Sequence, residues 1–168
     1  MGDCSARERL EALIAAHGDE VYRFCLGMLR DHHDAQDACQ DAFLRAYRSL
    51  DRFREESSLR TWVMRIALNV CRDQKRSAWF KRIVLKDAPE GDAQSWIHGQ
   101  AARDIWYMVD TLPKRQREVV LLYYQQGFTC DEVGKMLRMP KGSVSSNLKR
   151  ARQRLAQMLG GETYAQEK

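Results

Sequence analysis

The chain has 168 residues, 44% of them hydrophobic, and a formal net charge of +5 at pH 7. This length can hold one ordinary domain or two small ones, each with a limited core. The longest apolar run, residues 119–124, is far too short to cross a bilayer, and the beginning of the chain lacks the layout of a signal peptide. Composition therefore argues against a membrane protein and predicts a soluble cytoplasmic one.

The net charge conceals a partition along the chain. Residues 60–86 carry 8 basic side chains and 1 acidic one, and residues 112–154 carry 10 and 3. Residues 1–59 and 87–111 are instead net acidic, with 12 acidic against 8 basic side chains and 5 against 1. Two basic zones separated by an acidic one predict contact with nucleic acid at two places, while other surfaces meet a different partner.

Helical periodicity dominates, and no run alternates convincingly as a strand would. Three helices are predicted over residues 6–30, 34–50 and 59–77, with a break after the first at Asp31. The second helix has an apolar stripe and, on another side, a displayed stripe of Asp34, Asp37, Asp41, Arg45 and Arg48. The third helix has an apolar face, in which Trp62 is expected to be buried, and a basic face of Arg60, Arg65, Arg72, Lys75 and Arg76.

Turn formers and acids collect in residues 87–95, which is the composition of a linker. A helix over residues 97–112 follows, and Pro113 ends it. Residues 114–126 then predict a further helix, rich in Val, Leu and Tyr, that would form a hydrophobic floor. The predicted division is a first domain over 6–80, a flexible acidic linker over 81–97, a second domain over 98–160 and a polar tail over 161–168.

Residues 127–154 (GFTCDEVGKMLRMPKGSVSSNLKRARQR) have the pattern of a helix-turn-helix. Thr129 can cap the first helix, and Pro140 and Gly142 interrupt the periodicity before a second helix begins. The second helix buries a stripe that starts at Val144 and leaves short polar and cationic side chains outside, which suits contact with base edges and phosphates. The outward residues are Lys141, Ser143, Ser145, Ser146, Asn147, Lys149, Arg150 and Arg152. An ordinary basic amphipathic helix is the alternative, but it leaves this punctuation unexplained.

Three stretches together resemble the extracytoplasmic-function (ECF) sigma factors, the minimal promoter-recognition subunits of bacterial RNA polymerase. They are residues 34–53 (DAQDACQDAFLRAYRSLDRF), 58–73 (SLRTWVMRIALNVCRD) and 112–118 (LPKRQRE). The resemblance covers nearly the whole chain and implies an all-α fold with two small helical domains, sigma domains 2 and 4. It also implies binding to the RNA polymerase core at its clamp helices and flap, and recognition of the minus-10 and minus-35 promoter elements.

The resemblance assigns roles to residues by position. Asp37, Gln40 and Asp41 match the motif that docks domain 2 on the polymerase clamp, and Arg45 and Arg48 continue the same stripe. Asn69 matches a position that pairs with a flipped minus-10 base, Phe53 begins the loop of that pocket, and the basic face of the third helix would hold the backbone nearby. Ser146, Lys149 and Arg150 match minus-35 positions, with Lys141, Ser143, Ser145 and Arg152 on the same helix.

The same resemblance implies an anti-sigma partner, often anchored at the membrane, and a protein associated with the nucleoid when active. The chain departs from the common family pattern at Ser145 and Asn147, where many members carry arginine. That departure is expected to weaken phosphate contact or alter base preference at the minus-35 element.

Two other functions fit parts of the sequence. A helix-turn-helix regulator that binds operator DNA without polymerase would explain the second domain but gives residues 34–73 no role. An enzyme using Asp34, Asp37 and Asp41 lacks an accompanying general base, nucleophile or phosphate loop. A zinc site of His32, His33 and Cys39 fits no common ligand spacing, and the five cysteines form no C-x-x-C pair, so no metal or cofactor is predicted and reduced thiols are expected.

Overall fold

A computed structural model describes residues 2–53, 57–85 and 100–159, with side chains at 7–53, 57–78 and 105–159. The described residues are helices and short connections, without a strand. They belong to two compact units, Met1–Ala93 and Gln94–Lys168. The prediction of an all-α fold with two small helical domains is confirmed.

The first unit contains three long helices: α1 (Gly2–Leu29), α2 (His32–Ser49) and α3 (Leu59–Leu85). A 3₁₀ turn, Leu50–Arg52, follows α2. The predicted break after α1 is present, because Arg30 adopts a positive φ of 64° and Asp31 caps α2 by accepting a hydrogen bond from the Asp34 amide at 2.8 Å. The three helices pack against one another and bury one shared core.

That core depends on small residues in α2. Ala35, Ala38, Ala42 and Ala46 are fully buried at helical spacing, so α1 and α3 can approach the α2 backbone closely. The larger side chains come from the neighbouring helices, among them Phe24 of α1. Trp62 of α3 is also buried, at 8% exposure, as predicted. Its ring packs on Phe53, with the two ring centroids 5.1 Å apart. The core fixes which face of α2 is left outside.

Helix α3 is longer than predicted. Its predicted end was Ser77, but the helix continues to Leu85 and takes in the first five residues of the predicted linker. Residues 78–85 contain neither Pro nor Gly, and the first such residue after Ser77 is Pro89. The sequence therefore has no helix stop signal at Ser77. The rest of the predicted linker, residues 86–97, and the predicted tail lie outside the described residues.

The second unit contains α4 (Gln100–Thr111), α5 (Lys114–Val120), α6 (Cys130–Leu137) and α7 (Lys141–Met158). The predicted helix over residues 114–126 is not uniform, since Leu121–Gln125 form a π-helical turn in which the Gln126 amide bonds to the Leu121 carbonyl at 3.1 Å. Periodicity alone did not reveal that turn. Arg117 ties α5 to the end of α4 through a 2.6 Å contact of Nη1 with Asp110 Oδ1.

The helix-turn-helix is built from α6 and α7. Thr129 caps α6 as predicted, with its hydroxyl accepting from the Glu132 amide and the Glu132 carboxylate accepting from the Thr129 amide, a complete capping box. The turn ends α6 at Arg138, whose φ is 54°, and Pro140 is the N-cap of α7. Gly142 was predicted to interrupt the helices, but it lies in the first turn of α7. The breaking signal is therefore Arg138 to Pro140.

Candidate functional site

The displayed stripe of α2 is exposed in the first unit. Asp37, Gln40 and Arg48 are exposed and Asp41 is half-buried, while the alanine face of the same helix points into the core. Asp37 and Asp41 are one turn apart, so their carboxylates lie on neighbouring positions of one surface. The core packing therefore leaves the predicted docking residues on one accessible face.

An apolar groove lies beside that stripe, between α1 and α2. Ile14 on α1 and Leu44 on α2 line it and are 42% and 53% exposed, and Cys39 and Phe43 contribute further apolar surface. Gln40 lines the same groove and belongs to the predicted docking motif. The groove was not predicted, because the sequence pattern counts Ile14 among the packing residues of the first helix and gives Leu44 no role. Leu44, a large apolar residue directly before Arg45 of the charged stripe, was the available signal. Acids and an apolar groove together form one surface suited to a helical partner.

Arg45 of the same stripe is held by acidic partners on two helices. Its Nη2 contacts Asp41 Oδ2 at 2.9 Å, and its Nη1 contacts Asp73 Oδ2 on α3 at 3.2 Å. The other oxygen of Asp73 accepts from Arg76 at 2.8 Å. Hydrogen bonds from Asp41 and then Asp73 raise the pKa of Arg45 above its usual value. Asp73 is in register with the apolar stripe of the third helix in the sequence pattern, but its carboxylate lies at the surface between these two guanidinium groups.

The predicted minus-10 residues lie along α3 and at the end of the turn after α2. Asn69, Arg65 and Arg76 are exposed, and Phe53 is half-buried against Trp62. Arg72 and Lys75 are also half-buried on the same helix. An exposed amide with cations one turn before it and one turn after it can pair with a base edge while the cations contact phosphates.

Arg60 differs from the other cations of α3. It forms a two-pronged ion pair with Glu20 of α1, with Nε to Oε2 at 2.9 Å and Nη2 to Oε1 at 3.2 Å. The Arg60 hydrogen bond is the main reason that the pKa of Glu20 lies below its usual value. Glu20 also contacts His17 at 3.3 Å. Arg60 therefore links α3 to α1 within the unit, whatever it contacts outside.

In the second unit, the predicted minus-35 residues lie on the outer face of α7. Ser145, Ser146, Lys149 and Arg150 are exposed, whereas the buried stripe of the helix contains Val144, Leu148 and Ala151 as predicted. This arrangement places short polar side chains toward the N-terminal end of α7 and cations behind them. It is the geometry with which a recognition helix meets the major groove.

Some polar groups of α7 are already engaged within the unit. The Asn147 side-chain amide donates to the Ser143 carbonyl at 2.8 Å, and Ser143 is half-buried. Lys141 contacts Asp131 of α6 at 3.0 Å, and Arg152 donates to the Tyr124 hydroxyl at 3.4 Å. The hydrogen bond to Asp131 raises the pKa of Lys141. Tyr124, for which the sequence predicted no such role, thus joins the π turn to the basic face of α7.

The thiols of Cys25 and Cys71 are buried next to each other in the first unit and form no disulfide. Burial raises the pKa of Cys39 to about 11. His32 Nδ1 is hydrogen-bonded to the Tyr22 hydroxyl at 2.7 Å. Within the residues described, no group of three His, Cys, Asp or Glu side chains is arranged to hold a metal ion.

No helix among the described residues combines the length and apolar character that crossing a membrane requires.

Comparison with known proteins gives matches along both units. Residues 13–81 match the family described as Sigma-70 region 2, and residues 102–155 match the family described as Sigma-70, region 4. The ECF RNA polymerase sigma factor SigM of Mycobacterium tuberculosis is 31% identical over 156 residues, which cover 92% of this chain and 79% of SigM. The ECF RNA polymerase sigma factor SigW of Bacillus subtilis is 27% identical over 164 residues, covering 88% of this chain and 87% of SigW.

A solved structure has the same fold. The sigma factor RpoE from Bartonella quintana, in its complex with the anti-sigma factor NepR, aligns with a TM-score of 0.77 at 22% identity, over 93% of this chain and 97% of that one.

Proposed function

The chain belongs to the ECF RNA polymerase sigma factors, and we propose that its two units divide the work of promoter-specific transcription initiation. The first unit docks on core polymerase through the exposed stripe of α2 and holds the minus-10 element along α3. The second unit holds the duplex minus-35 element with α7. The observation that carries this division is the separation of surfaces in the first unit, where α2 displays acids beside an apolar groove and α3 displays an amide among cations.

Docking on core is assigned to Asp37, Gln40, Asp41 and Arg48 together with the groove rim of Ile14 and Leu44. Carboxylates favour a cationic partner and speed its approach, while the apolar rim supplies buried area. The matching partner surface is an amphipathic helix with basic residues at its edge. This surface also suits an anti-sigma protein, which would compete with core and keep the chain inactive.

Promoter recognition is assigned to exposed side chains on two helices. Asn69 would pair with an extracted base, a step that costs a few kcal/mol that hydrogen bonding and stacking offset. Ser145, Ser146, Lys149 and Arg150 would meet the minus-35 duplex. No catalytic role is proposed, and the protein would act at the nucleoid as part of the polymerase holoenzyme.

The deciding experiment is transcription by sigma-free core polymerase on fragmented source-genome DNA, with and without the protein, with mapping of RNA 5′ ends. We expect discrete new start sites that share two spaced upstream elements. Binding to duplex DNA without any new start site would instead favour a regulator that acts without polymerase.

The docking assignment has its own test in Asp37→Arg. Reversing an exposed charge at the centre of the stripe should reduce affinity for core at least tenfold, because an attractive contact becomes a repulsive one. Asp19→Arg is the matched control, since Asp19 is an exposed acid of α1 outside the predicted stripe. Equal affinities of the two variants for core in a competition assay would contradict the docking assignment.

A further inference from the structure

Four side chains of alternating sign connect α2 to α3, and we call Asp41, Arg45, Asp73 and Arg76 the charge relay. Arg45 contacts Asp41 at 2.9 Å and Asp73 at 3.2 Å, and Asp73 contacts Arg76 at 2.8 Å. The contacts to Asp73 use different oxygens, Oδ2 for Arg45 and Oδ1 for Arg76. The relay therefore runs continuously between two helices, with one carboxylate shared by two guanidinium groups.

The two ends of the relay belong to different surfaces. Asp41 lies one turn from Asp37 on the stripe assigned to core docking. Arg76 lies two turns from Asn69 on α3, and its side chain is 79% exposed. Arg45 lies between them, with its guanidinium directed along α2 to one acid and across to α3 for the other. Arg45 therefore contacts a side chain of α3, the helix assigned to the minus-10 element, even though its place in the sequence groups it with the docking residues.

The physical consequence lies in the charge of Asp73. With Arg45 bound to Oδ2, the carboxylate is already neutralised, so it holds Arg76 by one oxygen only and leaves the other donors of that guanidinium directed to solvent. Without Arg45, both oxygens are open to Arg76, and a two-pronged guanidinium–carboxylate pair is the stronger arrangement. Arg76 would then be captured by Asp73, and a negative charge would remain beside the DNA path.

We propose that Arg45 is a positioning residue for DNA binding: it occupies Asp73 and thereby keeps Arg76 available for a backbone phosphate next to Asn69. The proposal rests on the assignment of α3 to the minus-10 element and replaces direct polymerase contact as the role of Arg45. In this proposal Arg45 is required for DNA binding only because the Asp73 carboxylate would otherwise hold Arg76. Removing that carboxylate should therefore remove the requirement.

The test compares Arg45→Gln with the double variant Arg45→Gln/Asp73→Asn, each assembled with core polymerase. The first measurement is affinity for core. The second is binding of the purified holoenzyme to a promoter fragment obtained from the 5′-end mapping, over a series of salt concentrations. Loss of one phosphate contact to single-stranded DNA lowers the slope of log affinity against log salt by about 0.7, which is roughly fivefold in affinity at 0.1 M salt.

We expect Arg45→Gln to show that loss of DNA affinity with unchanged affinity for core, and Asp73→Asn in the same protein to restore the DNA affinity. Arg7→Gln is the matched control, because Arg7 also forms an exposed ion pair one turn along its helix, with Glu11 at 3.0 Å, but lies outside the relay. It should leave both measurements unchanged.

Two results would overturn the proposal. Reduced core affinity in Arg45→Gln that Asp73→Asn does not restore would make Arg45 a docking residue, and the sigma function would stand. Unchanged DNA binding in Arg45→Gln would show that the relay does not control Arg76. Failure of the unsubstituted protein to start transcription with core would be a separate result, and it would remove both the sigma function and the proposal that rests on it.

Discussion

Asn69 is an exposed amide on α3, with Arg65 one turn before it and Arg72 one turn after it. We expect Asn69→Ala to change base preference at the minus-10 element, because a side-chain amide reads a base edge whereas a cation contacts phosphate. Stability should change by less than about 0.5 kcal/mol at this exposed site. The measurement is 5′-end mapping on a randomised minus-10 library, with Arg65→Ala as the control that weakens all sequences alike. An unchanged preference in Asn69→Ala would contradict the assignment.

Glu20 and Arg60 make a stability prediction with a defined pH dependence. The pKa of Glu20 is held below its usual value, first by the Arg60 hydrogen bond, so the stabilisation is present above pH 4.5 and is lost as pH falls through the lowered pKa. Glu20→Gln should lower the free energy of unfolding by about 1 kcal/mol at pH 7, since the pair is only partly buried.

Urea unfolding of both proteins at pH 7 and near pH 3.5 measures this difference. The gap between them should shrink at the lower pH, because below pH 4.5 the unfolded chain takes up a proton at this carboxyl group that the Arg60 pair disfavours in the folded protein. A gap of the same size at both pH values would mean that packing, and not charge, accounts for the effect.

At the scale of elements, the helix-turn-helix depends on one close approach. A Cβ atom at Gly134 of α6 would lie 2.8 Å from the Met139 carbonyl oxygen, which is too close without movement of the turn. We expect Gly134→Ala to destabilise the second unit by about 1–3 kcal/mol and to weaken promoter binding, because the turn sets the angle between α6 and α7.

Gly142→Ala is the matched control on α7. Apart from its chain neighbours and the backbone of its own helix, no heavy atom lies within 4 Å of the Cβ position there. The residue is helical, so alanine should stabilise by about 0.5–1 kcal/mol. Thermal unfolding followed by circular dichroism distinguishes the two variants. Equal melting temperatures would show that the turn has room to adjust.

The helical segment that precedes the helix-turn-helix is α5 followed by a π turn, and this change of helix type is not visible from its boundaries. The π turn at Leu121–Gln125 inserts a wider register just before the helix-turn-helix, and Tyr124 within it accepts a hydrogen bond from Arg152. The turn and the basic face of α7 are therefore connected directly. One π turn shifts the periodicity by about one residue over only a few positions, so the pattern of residues 114–126 did not distinguish it from a regular helix.

At the scale of the whole molecule, the alkylation rate of Cys39 provides a test of binding to core polymerase. Cys39 lines the groove between α1 and α2, and burial raises its pKa to about 11. Only the thiolate is alkylated, so the rate of iodoacetamide labelling at Cys39 should rise about tenfold per pH unit between pH 8 and pH 10. Core polymerase bound over the groove should slow this labelling strongly at every pH.

Peptide mass spectrometry gives the labelling rate at each cysteine. Excess of a competing sigma subunit, which displaces the protein from core, should restore the rate at Cys39. Unchanged labelling of Cys39 in the holoenzyme would contradict docking at the groove.

The sequence by itself determined which segments are helical and which faces of α2 and α7 are charged or polar, although not the end of α3 or the π turn. Helical spacing on α2 separated an apolar stripe from a charged one, so the exposure of Asp37 followed from the pattern alone. The burial of Ala35, Ala38 and Ala42 was not predicted. Thr129 and Glu132, three residues apart, are a local capping signal that needs no tertiary contact. Burial of Trp62 followed from its place on the apolar stripe. These features depend on neighbours within one or two turns, which a sequence displays directly.

Only the tertiary structure decided which of the charged residues are engaged with one another. Arg60 and Glu20 are 40 positions apart, and Arg45 and Asp73 are 28 apart, so no local pattern pairs them. The groove at Ile14 and Leu44 likewise exists only where α1 and α2 meet. Packing of the helices brings charges that are distant in sequence within 4 Å of each other, and these long-range contacts decide which charged side chains are paired inside the unit.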